Sequence, residues 1–404
     1  MKKILKILCC TLVFMGLVLL MPVSGGCSES EDENTFTKLL GLLPATSEEW
    51  RIIVLIDHEK WRQVNGISVY DEDGQRISRE EYFERIIKVK NESYLFGFDI
   101  QSFGTFWASG YSKMLVSPIQ NTTIGYEYSD IDAEINNFYY LSDPPWMFGM
   151  SELRTSPEGM VAAIGDYDSQ ATNAALMNRG EWPSRLIQNY VSEEYDTIVI
   201  HSWGDSQEMS LADRLSPPHV DSIGRAYPVA VSDGQLFVGS GVDNIKPMID
   251  AQNNKTNSLA DLPEYMLVAE GMDALGAIGA FVMNEAHTRD VLDFSSPFAG
   301  PRIKDFLTVG MGPGKDETGE YMVLVLVFEN HANAEAGIAL IQEKIEAYNF
   351  IFDSINNGDD SIYDTDIKAN GRVLQAKLYT ENQMLWKYWF FNQWALINTE
   401  ELQG

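Results

Sequence analysis

MVAAIGDYDSQATNAALMNRG, residues 160–180, is the stretch on which the reading of the fold turns. Its opening, Met160–Tyr167, is small and apolar with β-branched residues, which suits a buried strand. Asp168 then stands where a helix N-cap would accept backbone N–H groups, and helix formers continue to a closing Gly180. LIQNYV (186–191) and DTIVIHSW (196–203) read as two more strands, so the order is β-α-β-β. Working outward, YPVAVSDGQLFVGS (227–240) is a hairpin turning at Asp233-Gly234. A helix from Val242, another over Leu259–Met272, and the strand AIGAFVMNE (277–285) complete the unit.

The same grammar recurs near the C-terminus. YMVLVLVF (321–328) is a strand, NAEAGIALIQEKIEAYNFIF (333–352) a long helix, and SIYDTDIKANGRVLQAKLY (361–379) a hairpin turning at Asn370-Gly371. Residue identity between the two units is negligible, so ancient duplication and common α+β grammar both explain the echo. The fold class expected is α+β: antiparallel or mixed sheets with helices on one face, in β-α-β-β units of ferredoxin-like style. Upstream, TFTKLLGLL closed by Pro44 is a short helix and WRIIVLID (50–57) a buried strand. Ser78 and Glu81 have capping-box spacing before another helix. Turn-rich SDPPWMFG and RTSPEG mark a break near 143–159. The organisation expected is a signal peptide (1–26), an acidic tether with a short helix (27–46), a main α+β domain (47–300) and a second α+β domain or subdomain (301–404).

At the N-terminus, Lys2, Lys3 and Lys6 precede an apolar run from Ile7 to Val23, broken by Thr11 and Gly16. That run falls short of the ~20 residues that span a bilayer core comfortably. Small residues Ser24, Gly25 and Gly26 lead into Cys27, the pattern of a secretory signal peptide. Through SGGC the leader resembles those of bacterial lipoproteins, whose lipobox ends in small residues before the cysteine that is lipidated. The resemblance covers only about the first 30 residues, and Ser24 stands where that family usually has Leu. It implies lipidation at Cys27 and an extracytoplasmic, membrane-anchored location at the cell surface or in the periplasm. Ordinary cleavage at a small-x-small site and an uncleaved anchor helix are the alternatives. SESEDEN after Cys27 has too little apolar surface to fold and reads as a tether.

The chain carries 59 acidic against 29 basic residues, a net charge of −30, and loss of Lys2, Lys3 and Lys6 with the leader takes it to −33. Such a surface repels phosphate backbones, so no nucleic-acid partner is expected. Of three cysteines, Cys9 and Cys10 lie in the leader. The remainder has no disulfide to lean on, must be stabilised by its core, and lacks the thiolates for zinc–cysteine or iron–sulfur sites.

No catalytic motif emerges. GMGPGKDETG (310–319) misses the phosphate loop, because Val309 takes its first glycine position and Asp316 its hydroxyl, and it reads as a flexible hairpin loop. DEDGQRISREE (71–81) approaches a calcium loop, with Asp71, Asp73 and Glu81 as oxygen ligands, but is one residue short and lacks the central acid and glycine. Calcium is the one cofactor it suggests, and an Asp-Gly turn before a capped helix is the plainer reading. Asp359, Asp360, Asp364 and Asp366 form a second acidic cluster read as a loop. The five histidines show no zinc spacing, and His201-Ser202 has no nucleophile elbow around it. LWKYWFFNQW (385–394) carries Trp386, Trp389 and Trp394, candidates for stacking on a ligand or partner, although aromatic residues on both faces also suit a buried strand. The function expected is a non-catalytic lipoprotein that binds an unknown protein or small molecule. The alternative is an extracytoplasmic hydrolase whose carboxylate, His and Ser groups meet only on folding.

Overall fold

The structure is a computed structural model and describes residues 34–45, 52–92, 128–138, 160–166, 168–177, 190–202, 228–239, 241–284, 306–356 and 361–380. Among the described residues the strands are β1 (Ile52–Asp57), β2 (Ile131–Phe138), β3 (Met160–Gly165), β4 (Val191–Tyr195), β5 (Ile198–Ser202) and β6 (Val229–Ser232). The remainder are β7 (Gln235–Gly239), β8 (Gly279–Asn284), β9 (Phe306–Lys315), β10 (Glu320–Phe328), β11 (Ile362–Asn370) and β12 (Val373–Thr380). They form one 12-stranded sheet in the order β11-β12-β10-β9-β8-β1-β2-β3-β7-β6-β5-β4. Every neighbouring pair is antiparallel.

Side chains alternate between faces along each strand. On the first face Ile53, Leu55, Ala162, Phe237, Val323 and Val325 pack against α1 (Thr35–Leu40), α5 (Val242–Gln252) and α6 (Pro263–Ala274). On the second, Val54, Ile56, Met311, Leu324, Leu326 and Leu374 pack against α7 (His331–Asn356). This two-sided burial explains why YMVLVLVF has no polar residue: β10 is covered on both faces. α4 (Ser169–Met177) also lies on the second face. His201 is its contact, and the neighbouring residue Ile200 belongs to the first-face core. The two remaining helices are α2 (His58–Val64) and α3 (Arg79–Glu92). No helix of the described residues is long and apolar enough to cross a membrane.

The expectation of ferredoxin-like β-α-β-β units with helices on one face is therefore corrected. Helices cover both faces of a single all-antiparallel sheet. Of the segment β3-α4-β4-β5, β3 lies between β2 and β7 while β4 and β5 sit at the far edge. Of β10-α7-β11-β12, it is β12 that returns beside β10. Part of the element order was legible along the chain, but β2 and β9 were not read as strands, and β4 is Val191–Tyr195 where LIQNYV (186–191, mostly outside the described residues) was expected. The long-range pairing that decides the sheet leaves no local trace. β8 and β9, on either side of position 300, are paired neighbours.

GMGPGK is also corrected. Gly310 to Lys315 lie inside β9, and only the turn before β10 is loop. The glycines make room: a Cβ at Gly310 would overlap Val268 of α6, and one at Gly314 would overlap the Tyr321 ring. On the same face as α6, α1 buries Phe36, Leu39 and Leu40 completely. Each such side chain contributes about 1.5–3 kcal/mol. The chain after α1 is pinned by Ala45 N–H to Asn257 O (2.8 Å) and Leu259 N–H to Leu43 O (2.8 Å).

Candidate functional site

Two of the polar constellations among the described residues bear on function. The first is interior. β2, IDAEINNF, places Glu134 opposite Ile56 and Asn136 opposite Val54, so both polar side chains share the second face with apolar partners. Each is 2% exposed. Asn136 Nδ2 donates to Glu134 Oε1 at 3.1 Å, and His58 Nε2 lies 3.6 Å from Glu134 Oε2. His58 opens α2, whose N-cap Asp57 accepts from Lys60 N–H at 2.8 Å. Burial raises the Asp57 carboxyl above the ordinary range, against the opposing hydrogen bond and charge of Lys60. Arg62 ties the same helix to β2, donating to Ile131 O (2.7 Å) and Asp132 Oδ1 (2.6 Å). An imidazole beside a carboxylate can pass a proton, but the two side chains are 5% and 3% exposed, which closes them to a substrate in this conformation.

The second constellation is at the surface, on the first face of β10, β12 and β11, beyond the end of α6. Tyr321 stands directly opposite Tyr379, and Tyr379 opposite Asp364; Asp366 stands opposite Lys377. Tyr321 OH donates to Leu275 O at 3.0 Å. Lys377 Nζ lies 4.3 Å from the Tyr321 ring centroid and donates to Asp316 Oδ2 at 3.1 Å, which also accepts from Tyr379 OH at 2.9 Å. Burial works to raise the Asp316 carboxyl, yet the hydrogen bonds from Lys377, Tyr379 and Thr318 N–H hold it below the usual carboxylate range. Burial likewise works to lower Lys377, and the bond to Asp316 with the neighbouring tyrosines raises it. The ammonium–carboxylate pair is thus ionised at neutral pH.

Tyr363 completes the surface through a bulge. Between Ile362 and Asp364 the register to β12 shifts, so Ile362 stays buried while Tyr363 is 55% exposed. Asn349 of α7 fixes the bulge from below, donating to Ile362 O and accepting from Ile362 N–H, both at 2.8 Å. The Tyr363 ring then lies 6.4 Å from Tyr379 at 40°, and Tyr379 5.2 Å from Tyr321 at 60°. The tyrosine rings thus lie beside the carboxylates of Asp316, Asp364 and Asp366.

Of the residues singled out from sequence, Cys27, Trp386, Trp389 and Trp394 lie outside the described residues, as do Asp359 and Asp360. Asp71, Asp73 and Glu81 do not converge. Asp71 Oδ1 accepts from the N–H groups of Asp73 (3.0 Å) and Gln75 (2.7 Å), a turn closed by Gly74, and Glu81 pairs with Arg85 at 2.7 Å. Among the described residues no three or more His, Cys, Asp or Glu side chains are grouped as metal ligands. Asp364 and Asp366 are on strand β11 instead of a loop. His201 is buried between Tyr190 OH (2.7 Å from Nδ1) and Asn173 Oδ1 (2.8 Å from Nε2), and burial lowers its pKa to about 4. The tyrosine surface went unread because LQAKLY scans as an ordinary alternating strand. The period-2 placement of Lys377 and Tyr379 opposite Asp366 and Asp364 was its only trace.

No protein-family model matches the chain, and no curated protein matches it. Two solved structures align over most of its length. Crystal form I of TP0453 does so at 11% identity and a TM-score of 0.36, covering 86% of this chain and 94% of that one. Crystal form III does so at 10% and 0.35, covering 85% and 95%. At these values the likeness does not establish a shared fold.

Proposed function

We propose that the protein is an exported lipoprotein, held at an extracytoplasmic membrane surface through Cys27, whose folded body binds a partner. What carries the anchoring half is the run from Lys2 to Cys27: basic start, apolar stretch, small residues, cysteine, then SESEDEN. Residues 28–34 reach at most about 25 Å when extended. The folded body begins with α1 at Thr35, whose Phe36, Leu39 and Leu40 are buried. Lipid chains contribute ~0.8 kcal/mol per buried CH₂, so two or more chains hold a protein stably. What supports the binding half is the exposed Tyr363 with Tyr379, Asp364 and Asp366 on an outer strand.

The test is fractionation of cells producing the full chain and its Cys27→Ser variant. Wild type is expected in the membrane fraction, released only by detergent, with the variant shifted to soluble or unprocessed protein. Identical behaviour of the two, with wild type soluble, contradicts the reading. A hydrolase is the second reading: His58 meets Glu134 from separate segments, although both are buried and closed to a substrate in this conformation. Hydrolysis of fluorogenic ester or glycoside substrates that is lost in Glu134→Gln would establish it in place of binding.

A further inference from the structure

We infer that the outer face of β11 and β12 receives an extended basic segment of a partner protein, its Lys or Arg side chains seated on Tyr363, Tyr379, Asp364 and Asp366. This rests on the binding reading above and names its partner chemistry. The protein already displays the recognition once, internally. The Lys377 ammonium lies over the Tyr321 ring and against Asp316, an aromatic face and a carboxylate sharing one cation. One strand further out the same elements repeat: two tyrosine rings 6.4 Å apart, beside the carboxylates of Asp364 and Asp366. Neither Asp364 nor Asp366 has an ion-pair partner among the described residues, and Lys377, the cation opposite Asp366, is committed to Asp316. Lys368 is the next charge along the strand, opposite Gln375.

Geometry favours an extended segment over a compact ligand. Asp364 and Asp366 are alternate residues of a strand, about 7 Å apart on one face, and alternate side chains of an extended peptide repeat at that same spacing. Among the described residues β11 ends the strand order, so the row lies at the margin of the described sheet. The bulge at Tyr363 turns an additional aromatic ring onto the row. Charge selects the occupant: a chain of net charge −30 attracts a basic segment and repels a second copy of itself.

The experiment uses the full chain purified from membranes in detergent, titrated with a fluorescent peptide that alternates lysine and serine. A glutamine–serine peptide and spermidine serve as comparisons. Asp364→Asn with Asp366→Asn, and separately Tyr363→Ala, alter exposed side chains, and urea melts check that both variants fold. The lysine peptide is expected to bind, and each variant to weaken it roughly tenfold, with high salt reducing the charge contribution. No binding, or equal binding by wild type and variants, overturns the inference. Spermidine binding with the same sensitivity to the variants overturns the assignment to a partner protein in favour of a free polyamine. Peptide failure with membrane partition through Cys27 intact defeats this inference alone, whereas loss of that partition defeats the reading beneath it.

Discussion

Acidification should destabilise the protein through His201, and the size of the effect follows from its surroundings. The imidazole is fully buried, with Asn173 Oδ1, an acceptor, on Nε2 and Tyr190 OH on Nδ1. Nε2–H therefore donates to Asn173 while Nδ1 accepts from Tyr190, so a second proton on Nδ1 would have to displace the Tyr190 hydrogen and place a charge in a buried site. Burial lowers the pKa from 6.5 to about 4. Because the folded value lies below the unfolded one, the neutral ring is compatible with the fold above pH 6.5. As pH falls from there towards 4, the unfolded chain takes up a proton that the folded chain refuses, and stability is lost. Relative to pH 7 the loss is about 2 kcal/mol at pH 5 and about 3 kcal/mol at pH 4. Urea unfolding of wild type and His201→Gln across pH 7 to 4 isolates this contribution, since other titrating groups act on both alike. The difference between them should change by about 1.4 kcal/mol per pH unit between the two pKa values. Parallel curves would refute the assignment of a neutral, locked imidazole.

Three further outcomes follow from packing, the interior pair and the entry to the fold. Gly310→Ala should cost about 1–3 kcal/mol because its methyl enters the space of Val268, and Val268→Ala should restore part of the loss; additive costs in urea melts would show that the helix does not sit where β9 places it. Glu134→Ala leaves His58 and the Asn136 amide facing a buried void, at a cost of about 3–5 kcal/mol, whereas replacing His58 and Glu134 together by leucine should cost less than the two single changes summed. A single-variant loss under about 0.5 kcal/mol would place that pair in solvent. Truncation to residue 37 removes the fully buried Phe36 and should lower stability by about 3–5 kcal/mol relative to a chain beginning at residue 34, as read by thermal melting.

How much was legible divides along the physics. Strands with strong local signals were found in place: Ile52–Asp57, Met160–Gly165 and the hairpins at Asp233-Gly234 and Asn370-Gly371, where turn chemistry and alternation coincide. So were the caps, with Ser78 Oγ accepting from Glu81 N–H (3.2 Å) and Asp168 from Ala171 N–H (2.8 Å). β2 was missed because Glu134, Asn136 and Asn137 break the apolar pattern of a strand that is nonetheless buried between β1 and β3. Glycines in β9 read as loop because their purpose, room for Val268 and Tyr321, lies on other elements. The surface site failed to show for the same reason. Asp316 with Tyr321 and Tyr363 with Lys377 come from two hairpins separated by α7, and only antiparallel register with one bulge brings the two pairs together.

The anchor is tested most directly by the mass of the N-terminal peptide of the protein isolated from membranes. A peptide that begins at Cys27 and carries a diacylglyceryl-type adduct on its sulfur is the expected result. A peptide with unmodified Cys27, or one that still holds residues before it, would contradict the assignment of a lipid-anchored protein.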